Sequence, residues 1–193
     1  MMKKEEIVDI LEKTGAIQHG HFILSSGKRS AIYCQCAKLF IYPEIAEKIC
    51  SELAIKVINE IKLDIDYIVA PAMGGVLVGY ELARQLKTKS VFYERVNGTF
   101  ELRRGFEIEP NAKVVLVEDV ITTGKSANEC IIELNKIGVN LLATVCLIDR
   151  TNNESVIKNP ISIHKLDIPI YDEDSLPDEL KSIRPIKPGS RDI

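Results

Sequence analysis

Val114-Val-Leu-Val-Glu-Asp-Val-Ile-Thr-Thr-Gly-Lys-Ser126 is the stretch whose reading decides the fold. Four apolar residues, Val114 to Val117, are too few for a helix and show no polar alternation, so they fit a strand buried on both faces. The strand delivers two adjacent acids, Glu118 and Asp119, to its carboxyl end. Thr122-Thr-Gly-Lys-Ser126 then opens a helix. Hydroxyls, a glycine and free backbone N–H groups at a helix N-terminus make a site for a phosphate dianion, assisted by the helix dipole. Lys125 either adds a charge there or points to solvent. The acids suit vicinal hydroxyls, so the stretch is laid out for a sugar phosphate such as ribose 5-phosphate.

Two nucleotide motifs are excluded. Gly124-Lys125-Ser126 matches the end of GxxxxGK[ST], but the opening glycine would fall at 119, which is Asp. Carboxylates there would repel a polyphosphate. Gly74-Gly75 with Gly79 lacks GxGxxG spacing.

Outward from this core, an alternating rhythm continues. Tyr67 to Ala70, Ser90 to Tyr93 and Ala143 to Ile148 are further short apolar runs. Gly74 to Leu86 and Ser126 to Ile137 have helical spacing, the latter stopping at Gly138. Tyr42 to Ile61 predicts a helix, with Pro43 at its start and Ile45, Ile49, Leu53 and Val57 on one face. Lys3 to Thr14 predicts a short amphipathic helix, and Phe22 to Cys36 a hairpin around Ser25-Ser26-Gly27. Strands separated by helices imply an α/β fold, a mostly parallel central sheet flanked by helices. Ligands then bind beyond the carboxyl ends of the strands, after Ala70, Tyr93, Val117 and Ile148. Arg95 to Pro110 breaks the rhythm, too polar for a core element and too long for a tight turn. Asp172 to Ile193, rich in proline and charge, is expected on the surface.

Composition narrows the classes. The chain has 193 residues, which predicts one domain with a core of its own. A net charge of −3 argues against a non-specific nucleic-acid coat. Five cysteines without CxxC spacing predict free, mostly buried thiols and no zinc site. The N-terminus has no uninterrupted apolar stretch, and no run approaches the ~20 residues of a membrane span, so a cytoplasmic location is expected.

VVLVEDVITTGKS resembles the 5-phosphoribosyl-1-pyrophosphate (PRPP) signature of the type I phosphoribosyltransferases. Three further segments are similar to the orotate phosphoribosyltransferases. Gly20-His-Phe-Ile-Leu-Ser-Ser-Gly27 with Ser30 and Tyr33 resembles that family's N-terminal segment, part of a hood over the base. Leu147-Ile-Asp-Arg150 puts a guanidinium where the family binds orotate, and Arg suits a planar carboxylate through two parallel hydrogen bonds. Arg95 and Arg103-Arg104-Gly105-Phe106 occupy the place of a mobile catalytic loop. From Arg95 to Gly105 three arginines face one acid, Glu101. The chain departs from the pattern where many members carry lysines, at Ser25 and near Gly74, and where their loop lysines and histidine give way to Val96-Asn-Gly-Thr99.

The resemblance implies one phosphoribosyltransferase domain over 1–193, with 1–40 and the C-terminal tail contributing hood elements. PRPP would be held by Glu118, Asp119, Val120, Ile121, Thr122, Thr123, Gly124, Lys125 and Ser126, with Met73 and Gly74 facing pyrophosphate. Orotate would meet Thr122, Arg150, Phe22 and Ser25. Glu118, Asp119, Arg95, Arg103 and Arg104 would carry catalysis. Mg²⁺ would arrive on PRPP, with no direct protein ligand assigned, and a homodimer would share its sites, without nucleic-acid or membrane partners. A purine phosphoribosyltransferase and a PRPP-sensing regulator are the competing expectations.

Overall fold

The computed structural model describes residues 2–24 and 26–188. Its chain begins with α1 (Lys4–Lys13), then β1 (Ile17–Ile23) and β2 (Arg29–Cys34). After a 3₁₀ turn at Cys36–Ile41 come α2 (Pro43–Ile61), β3 (Tyr67–Pro71), α3 (Gly74–Leu86), β4 (Lys89–Val96) and β5 (Thr99–Leu102). The remainder runs β6 (Lys113–Ile121), α4 (Lys125–Ile137), β7 (Asn140–Asp149), β8 (Ile161–Lys165), β9 (Ile170–Tyr171) and α5 (Asp178–Lys181).

The order β5-β4-β3-β6-β7-β8 makes a six-stranded sheet. All of its pairings are parallel except β4 with β5. Both faces are covered, as expected for short continuous apolar strands. On one face Ile49, Leu53 and Val57 of α2 and Val78 and Leu82 of α3 pack on Ile68, Val115, Val117 and Val145. On the other, Ala127, Cys130 and Leu134 of α4 pack on Val69, Val91, Val114 and Leu116. All five cysteines are free. Among the described residues no helix is long and apolar enough to cross a membrane.

A second sheet, β1-β2-β9, is antiparallel. Its hairpin starts earlier than expected, at Ile17 instead of Phe22, because Ile17 is buried and pairs with Cys34. The C-terminal segment is not all surface. Leu180 is buried, and Ile186 bridges to Phe22 with its carbonyl accepting from the Ile23 amide at 2.8 Å.

The segment Arg95 to Pro110 corrects its expectation. β4 continues to Val96, turns over Asn97-Gly98 and returns as β5. Both turn residues have positive φ, 48° and 89°. That is the geometry for which Asn-Gly is favoured in two-residue hairpins. Phe100 and Ile108 from this polar-looking stretch are buried.

Lys56 protects an open sheet edge by donating from Nζ to the carbonyl of Ser162 at 2.7 Å. Leu53 sits at the centre of the larger core, with no exposed surface. Leu53→Ala is expected to lower the unfolding free energy by about 2–5 kcal/mol in urea titrations, with an unchanged slope.

Candidate functional site

The carboxyl ends of β3 and β6 open into a cleft of about 470 Å³. Its walls are Pro71 to Gly74, Glu118 to Ala127, Arg95 and Phe100. Strand alternation sends the two acids to opposite faces. Asp119 points toward α3, where a Cβ on Gly74 would lie 2.7 Å from its Oδ1. Its carboxylate accepts from the Val120 amide at 2.8 Å. Glu118 lies on the α4 side and is 8% exposed.

Burial pushes the Glu118 carboxyl up to about 8, helped by the neighbouring Asp119. Asp119 is also raised, again by burial, with backbone hydrogen bonds pulling the other way. Both sites penalise charge because burial strips the carboxylates of solvent.

Thr122 to Lys125 form the turn after β6. Gly124 has φ 76° as the residue before α4. A side chain there would also meet Ile157, with Cβ only 2.6 Å from its Cγ1. The turn thus presents amides at a helix N-terminus, with Lys125 and Ser126 on the same wall. Every residue from Glu118 to Ser126 expected to hold PRPP lines this cleft, as do Met73 and Gly74.

A second cavity of about 340 Å³ adjoins it, sharing Thr122 and Thr123. Arg150, Thr151, Asn152 and Ile170 also line this cavity. The Arg150 Nε is buried without a hydrogen-bond partner. Burial pushes the Cys34 thiol up, and the Arg150 guanidinium in hydrogen-bond contact with it pulls the other way.

The remaining site residues divide. Arg95 lines the phosphate cleft. It is tied to Glu129 of α4, donates to the Gly98 carbonyl at 2.7 Å and stacks on Phe100 with 4.1 Å to the ring centroid. Arg103 and Arg104 line neither cavity; both pair with Glu94. Phe22 also stays out of both cavities, packing on Tyr33 at 5.6 Å within the second sheet. Ser25 lies outside the described residues. The sequence reading missed Glu129, Phe100 and Cys34. Glu129 was visible only as an acid one turn into α4, and Phe100 was hidden by the misread hairpin.

Two adjoining cavities thus lie at the carboxyl end of a parallel sheet, one lined by the paired acids and a helix N-terminus and the other by the Arg150 guanidinium. The chain belongs to the phosphoribosyltransferases: the family model of the phosphoribosyl transferase domain matches residues 41–172. It is 45% identical over 193 residues to the orotate phosphoribosyltransferase of Maricaulis maris, covering 100% of both chains. Identity to the Thermotoga maritima orotate phosphoribosyltransferase is 47% over 188 residues, covering 97% of this chain and 99% of the relative. A crystal structure of orotate phosphoribosyltransferase from Aeropyrum pernix superimposes with a TM-score of 0.70 at 25% identity, covering 83% of this chain and 93% of that one. Within the family the chain therefore falls among the orotate phosphoribosyltransferases.

The raised Glu118 carboxyl sets a pH dependence of the ligand-free protein. A carboxyl with a higher pKa folded than unfolded adds stability at low pH and loses it as pH rises through the folded value. Melting temperature is expected to fall between about pH 4.5 and 8, the interval from the ordinary to the folded value. Glu118→Gln should flatten that decline in thermal melts across the interval.

Proposed function

We propose that the chain transfers the 5-phosphoribosyl group of PRPP to N1 of orotate, giving orotidine 5′-monophosphate and pyrophosphate in pyrimidine biosynthesis. The observation that carries it is the pair of adjoining cavities sharing Thr122 and Thr123, with Glu118 and Asp119 in one and Arg150 in the other. Full-length likeness to named orotate phosphoribosyltransferases supports the same reading.

The N1–C1′ bond forms as the C1′–oxygen bond to pyrophosphate breaks. The electron pair leaves with pyrophosphate, and the N1 proton passes to solvent. Positive charge grows on the ribose, beside Glu118 and Asp119, which also accept from the hydroxyls. Amides and hydroxyls of Thr122 to Ser126 grip the 5′-phosphate. Arg150 donates to the orotate carboxylate or ring oxygens. No nucleophilic side chain is required, so catalysis rests on alignment and on charge placed in advance. Arg95 faces the pyrophosphate. Arg103 and Arg104 join it only by leaving Glu94.

Mg²⁺ fits the oxygen donors present, since it keeps substrate oxygens and waters and takes one or two carboxylates. Among the described residues no group of three or more His, Cys, Asp or Glu could hold a metal ion. Glu118 and Asp119, both on the wall of the cleft, would hold it only together with oxygens of PRPP, directly or through water. Bound there, it would supply positive charge to offset that of the leaving pyrophosphate.

A homodimer is supported by one apolar face. Met73, Leu77 and Tyr80 follow helical spacing on α3 and are 82%, 50% and 63% exposed. Ile41, the last residue of the 3₁₀ turn that contacts α3, and Tyr42 after it are also exposed. The face begins at Met73, a wall of the cleft, so a second copy seated there would sit beside the site.

Orotate absorbance in the presence of PRPP and Mg²⁺ is expected to fall with time; a constant spectrum refutes the activity. Arg150→Ala should weaken orotate binding by about 2–3 kcal/mol, the scale of a lost charged hydrogen-bond pair, and leave ribose 5-phosphate binding nearly constant in calorimetry. Leu77→Asp should halve the mass seen by light scattering, whereas a monomeric unaltered protein would remove the dimer.

A further inference from the structure

The segment after β7 forms one wall of the orotate cavity and also underpins the phosphate turn. Its first residues, Arg150 to Asn152, with Glu154, line the cavity. Its last residues fasten the turn from below. The Ser155 hydroxyl donates to the Thr122 carbonyl at 2.5 Å, and the Val156 amide donates to the Thr123 carbonyl at 2.9 Å. Ile157 fills the space that the missing side chain of Gly124 leaves. At the near end the Arg150 amide donates to the Ile121 carbonyl at 2.8 Å.

Ser155 joins the two halves. It is 2% exposed, and its oxygen accepts from the Asn152 amide at 3.0 Å while donating to Thr122. Asn152 in turn holds the loop with its Oδ1, which accepts from the Glu154 amide at 3.0 Å. One buried hydroxyl therefore connects a residue of the base cavity to the peptide that aims the phosphate-binding amides. The Asn152 Oδ1 also lies 3.3 Å from the Ser155 oxygen, so the hydrogen-bond partners of this buried hydroxyl are all on Thr122 and Asn152, and its removal strands groups on both.

We infer that Ser155 is a positioning residue that couples the two cavities, so that orotate in one tightens the grip on the 5′-phosphate in the other. The inference rests on the proposed function, because it needs orotate in the Arg150 cavity. Coupling of this kind is reciprocal: each ligand improves the other by the same factor.

Calorimetry measures it with ribose 5-phosphate, which carries the phosphate and the diol but has no leaving group, so nothing turns over. In the unaltered protein saturating orotate is expected to lower its Kd by about fivefold or more. In Ser155→Ala that ratio falls to about one, although each ligand still binds alone. Leu11→Ala, in the buried core beneath α1 and outside both cavities, controls for lost stability and should keep the ratio. Should Ser155→Ala fail to fold, Ser155→Cys keeps the shape with a weaker donor and should give an intermediate ratio. A ratio of one in the unaltered protein, or a ratio unmoved by changing Ser155, overturns the inference. Failure of orotate to bind the unaltered protein at all overturns the proposed substrate instead.

Discussion

The first turn of α3 approaches strand β6 so closely at the end of the sheet that no side chain fits between them. A Cβ on Gly75 would stand 2.8 Å from the Val117 carbonyl, and one on Gly74 would displace the Asp119 carboxylate. This closeness sets the position of Asp119, the depth of the cleft and the start of α3 together. It also keeps water from the acids, which is why both carboxyls are raised. Carboxylates shed of water and not yet paired are costly. The dry core around β3, β6 and β7 offsets that cost, so the reactive end of the site is held by the least exposed part of the molecule.

The site divides by rigidity. The acids and the phosphate turn belong to central strands with neighbours on both sides, whereas the arginines belong to an edge hairpin. Each arginine already has a carboxylate: Arg95 has Glu129, and Arg103 and Arg104 share Glu94. Exposed ion pairs of this sort contribute little stability and exchange partners readily. These cations are placed but not locked.

How much of this was legible depends on whether the signal was local. Val114 to Ser126 carries its strand, acids, αL glycine and helix start in consecutive residues, and α3 begins and ends where its spacing says. Arg150 was legible because it ends an apolar run. The hairpin was misread although Asn97-Gly98 is a strong local signal, because charged residues on either side masked the alternation that buries Phe100. Arg103 and Arg104 were placed by resemblance, yet their partner Glu94 is nine or ten positions away across the hairpin. Ser155 was illegible: nothing in Thr151-Asn-Asn-Glu-Ser155 says that one hydroxyl will be sealed beneath Thr122, since that contact spans 33 residues. β8, five residues long, and β9, two, are too short to show a period.

The strand bearing the acids lies third from one edge of the six and fourth from the other, and Val115, Leu116 and Val117 have no exposed surface. Deuterium reaches such amides only when the whole chain opens, not through fraying at a margin. The acid-bearing half of the molecule thus shares the fate of the entire fold: local breathing can loosen the arginine hairpin at the edge, but separating the carboxylates requires opening the centre of the sheet.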